Sequence, residues 1–222
     1  MFPRTLVVSL ILSLALARAC RADLIFGAPA GGPVTLHDGS FSIDVDADGA
    51  ADVTITDRPQ ISTAGLTGCS IGAFEELGIG AYRGSGFGFL AIALSSGQQV
   101  GPSSGLNFLY SVPGLLEIAM IRTYGPNPTD GAGDPTWTDG RHHFLGLDKL
   151  SGTDHHYGWV ELSLSDSGAP TVGQPWYDAT IYGWAYETQP NVPVTIPEPS
   201  TAGVLGMIAA GLCLTRRKRK PC

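Results

Sequence analysis

Four carboxylates and a glycine crowd into nine residues, Asp44-Val45-Asp46-Ala47-Asp48-Gly49-Ala50-Ala51-Asp52. Acidic groups at positions 1, 3, 5 and 9, with Gly at 6 for the sharp turn, reproduce the first nine positions of a calcium loop. Hard oxygens at those offsets can wrap one ion, and the main-chain carbonyl of Ala50 falls at position 7. The bidentate Glu that an EF-hand places at position 12 is missing, because Ile55 stands there. The flanks Phe41–Val45 and Ala51–Thr56 read as strands. The expected site is therefore a β-hairpin clip for Ca2+, structural in role, with Asp44, Asp46, Asp48, Ala50 and Asp52 as ligands. The competing reading is an acidic turn that binds nothing.

Other stretches could carry chemistry only in the right context. His142-His143 and His155-His156 sit at the ends of adjacent candidate strands and could share a transition metal if they met across a hairpin. Neighbours in a strand point to opposite faces, so one of each pair at most could join such a site. Gly101-Pro102-Ser103-Ser104-Gly105 matches the spacing of a nucleophile elbow, which needs a buried strand before it and a helix after it. Polar Ser95-Ser-Gly-Gln-Gln precedes this run and Leu106-Asn-Phe-Leu-Tyr follows it, so a loop between strands is expected. Glu75-Glu76 could belong to a glycosidase pair, as many acidic residues could. No phosphate-binding loop or dinucleotide fingerprint is present.

The elements that must position these groups are strands. From 23 to 196, Gly, Pro, Ser, Thr and Asp break the chain repeatedly, with short alternating or β-branched runs between them. Val34–His37, Phe41–Val45, Ala51–Thr56, Phe87–Leu94, Leu116–Arg122, His143–Leu147, Tyr157–Leu164 and Ala179–Tyr186 are the candidates. Such spacing predicts an all-β domain, an antiparallel β-sandwich of jelly-roll type, over residues 23–187. In Tyr157–Leu164 the period of two puts Tyr157, Trp159, Glu161 and Ser163 on one face and Gly158, Val160, Leu162 and Leu164 on the other. Trp159 is thereby expected in a groove or a second packing face. Gly65–Gly86 reads as a long loop or strained edge, Gly125–Gly140 as a surface loop, and residues 188–196 as a Pro-rich stalk.

Both ends carry addressing signals. Residues 1–22, with Arg4 before an almost wholly apolar Leu6–Leu16 and then small residues, read as a secretory signal peptide cleaved after Ala19 or, preferably, Ala22. Lipoprotein processing at Cys20 is the minor alternative. Residues 23–196 then hold 19 acidic and five basic residues, a formal charge of −14. That balance excludes nucleic acid as a partner and suits divalent cations. Only Cys69 remains in the body, so no internal disulfide can form there.

The C-terminus runs Pro197-Glu198-Pro199, then uncharged Thr201–Leu214, then Arg216, Arg217, Lys218, Arg219 and Lys220. As a helix, Thr201–Leu214 spans roughly 21 Å against a hydrocarbon core of roughly 30 Å, marginal for a permanent anchor. The cations would face the cytoplasm and place everything upstream on the far side. This order over 197–220 resembles the PEP-CTERM sorting signal of exported proteins in Gram-negative bacteria that make extracellular polysaccharide. The resemblance implies an exosortase partner, a transient inner-membrane intermediate, and delivery to the cell surface or extracellular matrix. The blocks His143-Phe-Leu-Gly-Leu, His156-Tyr-Gly-Trp-Val-Glu-Leu-Ser and Ala179-Thr-Ile-Tyr-Gly-Trp-Ala-Tyr-Glu are similar to stretches of many exported PEP-CTERM proteins, which supports the class and gives no mechanism.

The leading expectation is a non-enzymatic surface or matrix protein, stabilised by calcium. The alternative is a carbohydrate-binding module for exopolysaccharide, in which Trp137, Trp159, Trp176, Trp184, Tyr157 and Tyr182 would offer rings for stacking. A secreted hydrolase is the remote third.

Overall fold

A computed structural model describes residues 23–58, 66–73, 77–84, 88–110, 117–119, 121–124, 131–166 and 177–198. The signal segment, Glu75-Glu76, Trp176 and the chain from Pro199 onward lie outside the described residues. In chain order the strands are β1 (Leu24–Gly27), β2 (Val34–Leu36), β3 (Gly39–Ile43), β4 (Val53–Arg58), β5 (Leu66–Ala73) and β6 (Leu77–Gly84). They continue as β7 (Gly88–Ala91), β8 (Gln99–Val100), β9 (Phe108–Tyr110), β10 (Glu117–Ala119), β11 (Ile121–Tyr124) and β12 (Gly131–Gly133). The last four are β13 (His143–Ser151), β14 (Asp154–Asp166), β15 (Tyr177–Glu187) and β16 (Val194–Thr195).

The fold is all-β. One extended sheet runs β1-β15-β14-β13-β6-β7-β10-β5-β11-β12, with β2 beside β15, β9 beside β6, and β4 joining β3 to β5. Pairing is antiparallel throughout except where β10 meets β7. The long β13, β14 and β15 form its backbone, in register from His143↔Leu162 to Ser151↔Asp154 and from Gly158↔Tyr186 to Asp166↔Tyr177, with a bulge at Glu161/Leu162. Among the described residues no helix is long and apolar enough to cross a membrane.

Period-two patterning sorts the side chains of β13–β15 into two cores. Leu145, Leu147, Val160, Leu162, Leu164, Ala179 and Ile181 point inward and pack with Ile43, Val45, Val53 and Ile55 of the β3–β4 hairpin. Phe144, Tyr157, Trp159 and Ala185 point the other way, into a smaller core with Leu94, Val100, Val194 and Ile196. Trp159 is thus on a second packing face, as its alternation predicts.

That second core shows what residues 188–196 do. They do not project as a stalk. Asn191 N donates to His155 O at 2.6 Å, Val194 pairs with Val100, and Ile196 N donates to Gln98 O at 2.9 Å. Pro193 lies so close to Gly101 that a Cβ there would sit 2.5 Å from the proline Cβ. The prolines signal extended backbone correctly; the apolar residues between them then find a hydrophobic face to cover.

Two expected loops also contain structure. Most of Gly65–Gly86 is β5 and β6, because backbone pairing to β4, β13 and β9 needs no apolar alternation. Gly78 lets the ring of Tyr110 lie on β6, where a Cβ would come within 2.7 Å of Tyr110 Cε1. Within Gly125–Gly140, a 3-10 turn over Pro135–Thr138 buries Trp137 completely, and its indole donates to Ala91 O at 3.0 Å. Asp134 caps that turn, accepting from Thr136 N and Ala93 N at 3.0 Å each.

Candidate functional site

The acidic loop joins β3 to β4, closed at its base by Asp52 N donating to Ile43 O at 2.8 Å. Ala47 (φ 63°) and Gly49 (φ 95°) take left-handed conformations, which fold the loop back on itself. Short carboxylates hold the turn by accepting its amides. Asp44 accepts from Asp48 N at 3.1 Å and Gly49 N at 2.8 Å, Asp46 from Asp48 N at 3.2 Å, and Asp48 from Ala50 N at 2.7 Å. One oxygen from each of Asp44, Asp46 and Asp48 falls within 4.8 Å of the others.

Asp52 is placed apart from this trio. It is buried, and both its oxygens are engaged: one accepts from Val45 N at 2.8 Å, the other from Lys149 Nζ at 2.7 Å. Lys149 also reaches Asp46 at 2.6 Å. Its side chain is 13% exposed, against 20% for Asp46 and 9% for Asp52, so the three form a partly desolvated cluster. Burial alone would lower the lysine pKa and raise that of Asp46. The hydrogen bonds and opposite charges outweigh burial, holding Lys149 well above its ordinary value and Asp46 below its own.

Nothing in the acidic motif points to Lys149, which lies 103 residues from Asp46. One signal was available: it is the only lysine between residues 23 and 196, set with Asp148 in the otherwise apolar strand Phe144–Leu150. The oxygens of Asp44, Asp46 and Asp48 suit a hard cation, but they supply three of the roughly six to eight ligands calcium takes. Ala50 is exposed, and its amide serves Asp48.

The other sequence candidates separate. His143 faces Leu162 near one end of the β13–β14 hairpin, while His155 and His156 face Leu150 and Lys149 at the other, so the pairs do not meet. Each ring has a local partner: His142 with Glu161 (2.8 Å), His143 with Asp139 (2.8 Å), His155 with Asp148 (2.9 Å) and His156 with Glu187 O (3.2 Å). In Gly101–Gly105 the Ser104 hydroxyl donates to Gly101 O at 2.6 Å, closing a turn with no helix after it. Trp137, Trp159 and Tyr157 are buried, which removes them as stacking platforms, while Trp184 and Tyr182 are half-buried.

Pro197 and Glu198 follow directly on buried Ile196. They line a cleft of about 600 Å³ with Ser95, Ser96, Arg141, His142 and Glu161, where His142 stacks on Tyr182 at 3.8 Å. Pro199 and Arg216–Lys220 lie outside the described residues. The class defined so far is an all-β, mainly antiparallel protein with an acidic hairpin loop clamped by an internal lysine. Comparison of the chain with protein-family models, curated proteins and solved structures returns no match.

Proposed function

We propose that the chain is a non-enzymatic exported protein of the cell surface or extracellular matrix. Its body is read as a β-sandwich of jelly-roll type, and its C-terminus as a PEP-CTERM sorting signal taken by an exosortase. The sandwich reading is supported by the core that β3–β4 share with β13–β15. One observation carries the sorting reading: the ordered run of Pro197-Glu198-Pro199, uncharged Thr201–Leu214 and the cations Arg216–Lys220 begins one residue after Ile196, the last buried residue described. A signal read in extended form by an enzyme cleft must start where the folded body stops, and here the two meet without a spacer.

Replacing Pro197-Glu198-Pro199 by three alanines is the decisive test. The expected result is a larger form retained in the inner membrane, whereas wild-type surface protein ends near Pro197–Ser200 by mass spectrometry. Peptides running intact through Leu214 in wild-type surface protein would make the tail a plain anchor and overturn the sorting reading.

The same proposal gives the acidic loop a structural calcium ion, held by Asp44, Asp46 and Asp48 with water completing its shell. A cation bound to the folded state alone adds about 2.7 kcal/mol at a hundredfold excess over Kd. EGTA is therefore expected to lower the melting temperature of wild type. Asp48→Asn should abolish the difference, because asparagine keeps the one oxygen that accepts from Ala50 N and removes the charge. Equal melting with and without calcium leaves Lys149 as the only cation the loop uses.

A further inference from the structure

A second cleft, of about 440 Å³, opens where the segment 101–110, the β13–β14 hairpin and residue 191 converge. Its volume falls within the range of small-molecule sites, about 300–1,000 Å³. Phe108 and Tyr110 of β9 form a half-buried aromatic wall, with Tyr157 behind Phe108 at 6.0 Å between ring centres. Among the described residues, polar Asp148, His155, Asn107 and Asn191 also line it.

The Asp148 carboxylate is built in, while Asn107 and Asn191 are exposed at the rim. Asp148 is 2% exposed, and its carboxylate accepts from the Tyr110 hydroxyl at 2.5 Å and from His155 Nδ1 at 2.9 Å. With Nδ1 committed to Asp148, the imidazole keeps Nε2 for a ligand. Asn191 sits in the left-handed region at φ 62°, and its amide donates to His155 O at 2.6 Å. Among the described residues, neither the Asn107 nor the Asn191 carboxamide has a hydrogen bond within the chain. Each offers two donors and an acceptor to an occupant.

We propose that this cleft binds a single ring of a neutral, hydroxyl-rich sugar chain. The chemistry selects that class by elimination. Among the described residues no Lys or Arg lines the cleft, and the body carries a formal charge of −14, so phosphate, sulfate and carboxylate groups are repelled. A wholly apolar ligand would cover Asn107, Asn191 and His155 without satisfying them, which costs more than its contacts with Phe108 and Tyr110 return. A pyranose presents an apolar face to the aromatic wall and hydroxyls that both donate and accept around its rim. This placement differs from stacking on the tryptophans, since Trp137 and Trp159 are core residues.

The test uses the full chain in mild detergent with linear neutral tetrasaccharides of glucose, mannose and galactose, and a sulfated form of each. Saturation-transfer NMR and titration calorimetry are the readouts. Saturable binding of at least one neutral tetrasaccharide is expected, with Kd on the order of 1 mM or tighter for so few contacts. Asn107→Ala and Asn191→Gly should each weaken it at least threefold, glycine being chosen because it keeps the left-handed backbone while removing the carboxamide. The proposal is overturned if no neutral tetrasaccharide binds saturably. It is equally overturned if either variant changes Kd by less than threefold, or if a sulfated form binds as tightly as its neutral parent.

Discussion

Lys149→Met is expected to lower the melting temperature of the body by about 6–12 °C. Methionine keeps the aliphatic stem and removes the ammonium that both Asp46 and Asp52 contact. In EGTA, with the loop free of calcium, two partly buried carboxylates would then face each other beside Asp44 and Asp48 with no counter-charge. Removing one partner of a buried ion pair costs about 3–5 kcal/mol, and the low end applies because Asp46 is one-fifth exposed. At about 2–4 °C per kcal/mol for a body of this size, about 3 kcal/mol gives the stated shift. Thermal denaturation followed by circular dichroism checks it.

The pH dependence fixes the cause. Asp46 titrates below its ordinary value in the folded chain, so the stability it contributes is present above about pH 3.8 and lost as pH falls through the folded pKa. Lys149 titrates above its ordinary value, so its contribution is complete below about pH 10.5 and is lost only as pH rises through the folded pKa. The gap between wild type and Lys149→Met should therefore stay open from pH 5 to 10 and close at strongly acid pH. A gap as wide at pH 3 as at pH 7 would mean that the charge of Lys149 does not explain the loss.

What could be read from the sequence divides along physical lines. Tyr157–Leu164 and Ala179–Tyr186 announce themselves because one face is apolar at every second residue, and they become the middles of β14 and β15. The acidic hairpin is legible because its geometry is local: Gly49 and the carboxylates of Asp44, Asp46 and Asp48 specify the turn through amides no more than five residues away. Lys149 is illegible for the opposite reason, since its partnership depends on how two distant hairpins pack. β5 and β6 are hidden by their glycines, which erase the alternation while leaving the backbone ladder intact. β16 is hidden by its length. Two residues make no pattern, and what holds them is an outer core assembled from Leu94, Val100, Phe144 and Trp159.

Removing that short strand should have the largest effect of all. A chain ending at Asn191 is expected to lose at least about 5 kcal/mol relative to one ending at Pro199. Val194 is 3% exposed and Ile196 fully buried, and each buried aliphatic side chain is worth about 1.5–3 kcal/mol. Their loss also uncovers Phe144 and Trp159, and it breaks the hydrogen bonds from Ile196 N to Gln98 O and from Gly97 N to Ile196 O. The shortened chain should bind a hydrophobic dye and melt broadly at lower temperature, as expected when packing is lost and the β-sheet stays. Ile196→Asp in the longer chain should reproduce most of the loss, because it puts a carboxylate at a position with no accessible surface. The chain ending at Pro199, in contrast, should melt with the body of the full-length protein. A cut between Pro197 and Ser200 therefore releases the tail while leaving the outer core sealed, whereas a cut before Val194 opens it. If the chain ending at Asn191 melted like the chain ending at Pro199, the docked strand would add nothing to stability, and the position of the cut would be free of this constraint.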